Sequence, residues 1–448
     1  MPVAAMPSVE FAHLAGLDPQ LWPELVQVPV TRTFRAQAHA EAELARAAAA
    51  GGINLDPARA GDGVPSLVVH HDAVFARMAT RGWLGFAEGF FAGEWDSAQL
   101  AEVLRLLLAA GFQPGESRVR RGHTQVPAAP RHPGGDLPWE VVSLYSPTPI
   151  PVDVAGLYAS GVATTARVER PNHIGRRGAP PTIPVEVTTV QAPVAVERAD
   201  LAAAQLRAVD SLLDLAWVTR GTDVLDMPAT TALVALAAAE RGAVVDAVCM
   251  DHDVAEAMAV QIGDVASVDV CEQVVPPRSQ WRGRYEAVIS AGRLEMLGSA
   301  GVTELLHGMD RLLSPGGRAA VQTTIATERF GRVREAALAP IRTYLWPAYE
   351  PQPLEGLRAA IDGRTGLRLH TEKYISSHAQ LTVQLQGQLF ASQERKAAAA
   401  GIDAVTRRLW RYWLAFQEAL LAEGALEVVQ LGIAHKPRRA PTATRVTR

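Results

Sequence analysis

Short apolar runs alternate with helical patterns between residues 223 and 323, and this alternation constrains the fold more than any other feature of the sequence. Four of the runs predict strands, over residues 223–227, 244–250, 287–291 and 318–323. Helical patterns that begin near Ala232, Val254 and Gly301 separate these strands. Connections of this kind require neighbouring parallel strands with helices on both faces of the sheet. We therefore predict an α/β fold with a doubly wound parallel sheet of the Rossmann-like type.

Composition and patterning predict three further segments around this sheet. Residues 1–112 predict a small, mainly helical N-terminal domain that contains an aromatic cluster. Residues 113–198 are rich in Pro, Gly, Arg and Thr, which indicates a linker with at most one hairpin. Residues 199–435 are assigned to the Rossmann-like domain, and its helical patterns over 378–400 and 404–423 are interpreted as a substrate-covering insertion and a C-terminal element. Residues 436–448 form a basic tail.

Charge and residue usage exclude several classes of function. The formal net charge is -4, so the chain as a whole offers no electrostatic surface for nucleic acid. Its two cysteines, Cys249 and Cys271, lack the spacing of a metal site or a disulfide framework and are interpreted as reduced residues. No basic segment followed by an apolar one marks a signal peptide, and no window is apolar over the roughly 18 residues that a membrane-spanning helix needs. We expect no metal and a cytoplasmic protein.

Three stretches resemble one family of lipid-modifying enzymes. Residues 85–95 (GFAEGFFAGEW) resemble its G-x-G-E-S-Y-x-x-G-E-W run, and residues 201–226 resemble the helix and first strand of its cofactor domain. Residues 410–430 resemble its C-terminal signature W-x-x-Y-L-x-x-x-E-A-G-F-R-x-G-x-x-x-V-x-Q. The sequence is identified as a member of the cyclopropane-fatty-acyl-phospholipid synthases, which include mycolic acid cyclopropane synthases and tuberculostearic acid methyltransferase-like enzymes. The resemblance implies a class I methyltransferase fold, the cofactor S-adenosyl-L-methionine and an unsaturated acyl chain as substrate.

The cofactor turn departs from the family pattern V-L-E-x-G-x-G-W-G. Pro228, Thr230 and Ala232 stand where the family has three glycines, and their side chains occupy space that the cofactor needs. By position in the family pattern, the candidate cofactor-binding residues are listed here in chain order: Asp226, Thr230, Asp251 and Glu272. For Asp226 and Glu272 the alternative interpretation is a solvated loop carboxylate.

The catalytic motifs are also incomplete. The resemblance implies a bound bicarbonate that takes a proton from a carbocation, held by a Glu–His pair, a Tyr and a Cys. Glu295 matches the Glu of the pair, but Met296 replaces the His and Trp413 replaces the Tyr of the C-terminal signature. No Cys motif is found between residues 139 and 175. Glu295 and His378, which persists from a further motif, are the candidate catalytic residues, with a structural role as the alternative for both.

Two hypotheses about function follow, and a divergent enzyme with another cofactor is a minor third. The first is a catalytically impaired or inactive paralogue, a pseudoenzyme that binds a fatty acyl chain or phospholipid or forms an oligomer with an active synthase. The alternative is an active S-adenosylmethionine-dependent methyltransferase acting on unsaturated fatty acyl chains of phospholipids. The basic tail, from Lys436 onward, predicts either peripheral contact with anionic lipid at the inner membrane face or a solvated end of the chain.

Overall fold

The computed structural model describes residues 9–30, 34–56, 63–115, 139–174, 179–277, 281 and 284–436. A nine-stranded sheet forms its centre, with the spatial order β3-β4-β10-β11-β9-β8-β5-β6-β7. The strands of this sheet are β3 (Ala163–Pro171), β4 (Thr182–Val190), β5 (Asp223–Asp226), β6 (Val244–Cys249), β7 (Ser267–Val270), β8 (Tyr285–Ala291), β9 (Leu313–Ala326), β10 (Leu367–Tyr374) and β11 (Leu426–His435). A separate pair joins β1 (Val68–Val69) to β2 (Trp95–Asp96).

The sheet is parallel at its centre and antiparallel toward one edge. β9, β8, β5, β6 and β7 pair in parallel, β11 runs antiparallel to both β9 and β10, and β3 runs antiparallel to β4. All four predicted strands are present, and the predicted doubly wound α/β fold is confirmed. Adjacent residues of β5 face opposite sides, because Val224 belongs to one buried apolar cluster and Leu225 to another.

Helices cover both faces of the sheet and form the N-terminal region. The helices in the described residues are α1 (Pro23–Val26), α2 (Phe34–Gly51), α3 (Ala73–Arg81), α4 (Trp83–Ala92), α5 (Leu100–Ala109), α6 (Trp139–Val142), α7 (Leu201–Leu215), α8 (Ala232–Glu240), α9 (His252–Ile262), α10 (Gly298–Leu312), α11 (Gly331–Ala337), α12 (Ala339–Tyr344), α13 (Leu354–Arg364), α14 (Ser376–Ser392), α15 (Glu394–Ala399) and α16 (Ala404–Ala422). Buried residues of α7, α8 and α9 pack on one face of the sheet, and those of α10 and α13 pack on the other.

The N-terminal helices share one core with the C-terminal half of the chain. Phe90 and Phe91 of α4 pack against Tyr412 of α16, with ring centroids 5.9 and 5.5 Å apart. The Tyr344 hydroxyl donates a 2.7 Å hydrogen bond to the carboxylate of Glu88, also on α4. The run 85–95 that carries the family resemblance therefore lies at the junction between the N-terminal helices and the rest of the molecule.

The segment 113–198 is more structured than a linker. Its described residues include α6 and the hairpin formed by β3 and β4, and β4 pairs in parallel with β10 of the main sheet. β4 buries Ile183, Val185 and Val190, whereas most residues of β3 are exposed. A strand that is exposed on both faces needs no alternation of apolar and polar residues, so its sequence carries little strand signal.

Other expectations concern the chain end, the cysteines and membrane-spanning helices. Lys436 donates to the backbone oxygens of Asp362 and Thr365, at 2.6 and 2.7 Å, so its ammonium group is held by the protein. The rest of the predicted basic tail lies outside the described residues. Cys249 is buried, Cys271 is partly buried, and neither is in a disulfide. Among the described residues, no helix combines the length and apolar character needed to cross a bilayer.

Candidate functional site

The carboxyl ends of the parallel strands form the edge where a doubly wound sheet binds its ligands. Asp226 is the last residue of β5, and Asp251 and Glu272 follow β6 and β7 by two residues each. The topology therefore brings three of the four candidate cofactor-binding residues to one edge of the sheet. Their local surroundings differ.

Asp226 is buried and incompletely hydrogen-bonded. Only 1% of this residue is exposed to solvent, and its Oδ2 atom has no hydrogen-bond partner among the described residues. Burial raises the pKa of this carboxyl well above its ordinary value. Burial therefore favours the protonated form of Asp226, and its position in the core excludes the solvated carboxylate that the sequence left open.

The turn after Asp226 is closed against its neighbours. The Met227 N–H donates to the Ile289 oxygen of β8 at 2.9 Å, and the Ala229 N–H donates to the Val248 oxygen of β6 at 2.8 Å. Pro228, between them, has no N–H to donate. Three consecutive residues at the turn thus offer no backbone donor to a ligand.

Side chains fill the space that glycines would leave open. Ala229 and Ala232 are fully buried and belong to the same apolar cluster as Val152 and Val154. Thr230 is partly exposed, and Thr231 begins α8, where its hydroxyl accepts a 3.2 Å hydrogen bond from Leu233 N–H. No glycine lines this turn, whereas the family pattern has three.

The other two candidate cofactor residues have ordinary surroundings. The Asp251 carboxylate accepts hydrogen bonds from the N–H groups of Asp253 and Val254, at 2.8 and 3.2 Å, and so caps the N-terminus of α9. Glu272 is exposed to solvent, which agrees with the alternative of a solvated loop carboxylate. Because its oxygen is already used in the cap, Asp251 has less capacity to bind a ligand.

A cavity of about 50 Å³ lies beside this edge, next to the end of β9. Glu295, on a short helical turn after β8, lines it and accepts a 2.8 Å hydrogen bond from the Thr323 hydroxyl. A second carboxyl group, that of Asp153, lines the same cavity. The remaining polar lining residues are Gln322, Thr323, Thr324, Thr382, Gln386 and Gln417. The volume is sufficient for water or a small polar group, but not for an acyl chain.

The charge of one cavity carboxyl group affects the pKa of the other. Burial and, next, the Glu295 charge raise the pKa of Asp153 to about 6, although the Arg293 guanidinium partly opposes this rise. Burial also raises the pKa of Glu295, against the hydrogen bond from Thr323. A cavity that presents two acidic groups repels an anion, and the bicarbonate implied by the resemblance is an anion. It suits a neutral or proton-donating partner better.

The His378 ring forms hydrogen bonds with backbone groups and does not line the cavity. Its Nδ1 atom accepts a 2.9 Å hydrogen bond from Tyr158 N–H, and its Nε2 atom lies 2.9 Å from the Gln191 oxygen, to which a neutral imidazole donates. Desolvation lowers the pKa of this imidazole, which favours that neutral form. Both ring nitrogens are engaged in hydrogen bonds. This geometry fits the structural role that the sequence left open as the alternative for His378.

The sequence did not single out Asp153, because it lies in the segment predicted as a linker. Residues 149–158, here named the covering segment, cross this edge of the sheet and are anchored to α7 and α14. The Gln205 amide donates to the Val152 and Val154 oxygens at 3.3 and 3.1 Å, and the Gly156 N–H donates to the Thr382 hydroxyl at 2.9 Å. The only sequence signal was the apolar alternation of Ile150, Val152 and Val154 around the acid.

Aromatic side chains behind the cavity pack against one another. Trp413, which replaces the family Tyr, lies with its ring centroid 4.8 Å from Trp346 and 5.3 Å from Tyr349. All three are almost completely buried. The rings of Trp346, Tyr349 and Trp413 are thus part of one buried core.

The matches with known proteins agree on one family. The family model described as "Mycolic acid cyclopropane synthetase" matches residues 192–431, which is more than half of the chain. The tuberculostearic acid methyltransferase UfaA1 of Mycobacterium tuberculosis is 25% identical over 434 residues, which cover 93% of this chain and 96% of that protein.

Solved structures give weaker likenesses. The cyclopropane synthase MmaA2 from Mycobacterium tuberculosis is 18% identical with a TM-score of 0.46, over 52% of this chain and 84% of that one. The mycolic acid cyclopropane synthase CmaA1, solved with SAH and CTAB, is 16% identical with a TM-score of 0.46, over 52% and 85% of the two chains. The extent of the family match decides the assignment: this chain belongs to the mycolic acid cyclopropane synthetase family.

Proposed function

We propose that this chain is a catalytically inactive or strongly impaired member of its family, a pseudoenzyme of lipid metabolism. The observation that carries the proposal is the closed turn over residues 227–232. Met227 and Ala229 donate to neighbouring strands, Pro228 has no N–H, and Ala229 and Ala232 are buried in the same apolar cluster as Val152 and Val154 of the covering segment. A factor of ten in affinity corresponds to about 1.4 kcal/mol, so a few obstructing side chains are enough to abolish S-adenosylmethionine binding.

The acidic cavity supports the same proposal independently. A proton acceptor held as bicarbonate needs positive or hydrogen-bond-donating groups around it. The cavity places two carboxyl groups, those of Asp153 and Glu295, beside its amide and hydroxyl groups, and the positions of the missing partners are taken by Met296 and Trp413, which carry no charge. The replacement of the His and Tyr partners therefore supports the proposal.

Binding without turnover is the role that remains for such a chain. An acyl chain or phospholipid would need an apolar channel, but the rings of Trp346, Tyr349 and Trp413 pack directly together next to the cavity. This packing argues against an acyl chain at this position, and an active synthase is the other partner that the proposal allows.

A methyl-transfer assay tests the proposal. The purified chain is incubated with isotope-labelled S-adenosylmethionine and vesicles of oleoyl phospholipid, and the extracted acyl chains are analysed by mass spectrometry. A purified synthase of the family serves as positive control. We expect label in the lipid only with the control enzyme.

Two outcomes of this assay distinguish the explanations. Transfer by the wild-type chain supports the alternative, an active methyltransferase on unsaturated fatty acyl chains, and refutes the pseudoenzyme proposal. A variant that combines Pro228→Gly, Thr230→Gly and Ala232→Gly is tested in parallel. We expect it to remain inactive even if it regains cofactor binding, because the acidic cavity is unchanged.

A further inference from the structure

The hairpin of β3 and β4 extends the sheet and leaves β3 as its edge. β3 is nine residues long, and no strand in the described part of the chain pairs with its outer side. Seven of its residues are exposed, including every residue from Ala163 to Arg167. Along the outer side, alternate backbone N–H and C=O groups therefore point away from β4 and have no strand to bind.

The edge carries two opposite charges on one face. Arg167 and Glu169 are two residues apart, so their side chains lie on the same face of the sheet. Within the described residues neither forms a hydrogen bond or an ion pair, whereas Arg170, on the other face, donates to Glu372 at 3.1 Å. Isolated edge charges usually discourage pairing, but a pair of opposite sign can also be matched by a second strand.

The spacing of the two charges makes the strand complementary to itself. Consider two identical strands that pair antiparallel about a two-fold axis at Val168. Arg167 then lies opposite Glu169 of the second copy, and Glu169 lies opposite Arg167 of the second copy. An axis at Arg167 places Arg167 opposite Arg167 of the second copy, and an axis at Glu169 places Glu169 opposite Glu169 of the second copy. Only the register centred on Val168 matches the charges twice.

We propose that this chain forms a homodimer through antiparallel pairing of β3 with β3 of a second copy, centred on Val168. The two main sheets then become continuous across the dimer axis. Val162 and Val194, which flank the start of β3 and are 64% and 69% exposed, supply apolar surface next to this interface. The inference does not rest on the proposed lack of activity.

Charge reversal tests the register in the full-length chain. Arg167→Glu sets two carboxylates against each other at each contact, and Glu169→Arg sets two guanidinium groups against each other. By sedimentation velocity, we expect each single variant to dimerise with a dissociation constant on the order of tenfold or more above that of the wild type. Arg198→Glu reverses an exposed charge outside the strand and is expected to leave the dimer unchanged.

Mixing the variants gives the most specific result. In a mixed dimer, every contact pairs Glu with Arg again, so Arg167→Glu and Glu169→Arg are expected to dimerise together although each does so poorly alone. The double variant is expected to recover dimerisation for the same reason. A wild-type chain that stays monomeric at its highest soluble concentration, or a dimer that neither reversal weakens, overturns the proposal. Circular dichroism of each variant verifies that the hairpin change has not unfolded the chain.

Discussion

The buried Arg77–Glu94 pair of the N-terminal helices and the buried carboxyl of Asp226 at the carboxyl edge of the sheet have very different surroundings. In the N-terminal region, the Arg77 guanidinium donates to both oxygens of Glu94, at 2.8 and 3.0 Å, and to the Leu25 oxygen at 2.6 Å. At the carboxyl edge, the buried carboxyl of Asp226 lacks a partner for one oxygen, and so does the buried hydroxyl of Ser290.

This difference indicates which buried groups the fold itself satisfies. A buried ion pair is stable only if both partners and their hydrogen bonds are present, so the Arg77–Glu94 pair contributes to the fold of the N-terminal region. At the carboxyl edge, no group in the described residues completes the hydrogen bonds of the Asp226 Oδ2 atom and the Ser290 hydroxyl. The comparison therefore separates a buried pair that holds the fold from buried polar groups that the fold leaves incompletely bonded.

The largest effect is expected from breaking the N-terminal pair. Arg77→Ala leaves the Glu94 carboxylate buried without a counter-charge, and we expect it to lower the free energy of unfolding by about 3–5 kcal/mol. Arg105→Ala, which breaks the half-exposed pair with Glu102, is the control, with an expected cost below about 1 kcal/mol. Urea unfolding measures both. Similar losses for the two variants would contradict the structural role given to Arg77.

A smaller loss is expected from adding a methyl group in the run 85–95. A Cβ at Gly85 would collide with the backbone carbonyl of Arg77 in α3 and approach Met78 N to 2.9 Å. We expect Gly85→Ala to cost about 1–3 kcal/mol or more, because helix α4 must move away from α3. Gly387→Ala, in α14, meets nothing within 4 Å and is expected to stabilise the chain by about 0.5–1 kcal/mol. Thermal unfolding distinguishes the two, and a tolerated Gly85→Ala would refute the close packing.

Asp226 should give a smaller, pH-dependent effect. Its pKa is raised by folding, so the folded chain binds more protons than the unfolded chain. The contribution of this carboxyl to the free energy of unfolding is therefore fully present below its unfolded pKa, near 3.8. It is lost as the pH rises toward the folded pKa.

Asp226→Asn removes this titration. Relative to the wild type, the variant is expected to gain on the order of 1–3 kcal/mol in unfolding free energy as the pH rises above the unfolded pKa, near 3.8. The exposed Asp264→Asn is the control and should follow the wild-type profile. If the difference in unfolding free energy between Asp226→Asn and the wild type does not change with pH, the carboxyl is not protonated in the folded chain.

The sequence predicted the central sheet well but the site only in part. The strands 223–226, 244–249 and 285–291 are short, largely apolar and mostly buried, and such segments carry a strong local signal. The lost glycines at Pro228, Thr230 and Ala232 were also visible, because each position has a fixed place in the family pattern. Both conclusions needed only local residues.

Long-range contacts account for what the sequence could not reveal. Asp153 and Glu295 are far apart in the chain and meet only because the covering segment crosses the sheet. The role of His378 depends on Tyr158 and Gln191, which no local pattern connects to it. The hairpin edge was missed because β3 has no buried face. In each case the deciding partner lies on another element.

Calorimetric titration with S-adenosylmethionine tests the central claim most directly, because the closed turn predicts that the cofactor has no site. The purified chain is titrated up to the solubility limit of the ligand, with a purified synthase of the family as positive control. We predict no saturable heat and no thermal shift for this chain under conditions where the control enzyme binds. Saturable binding at one site per chain would contradict the account and show that the turn opens.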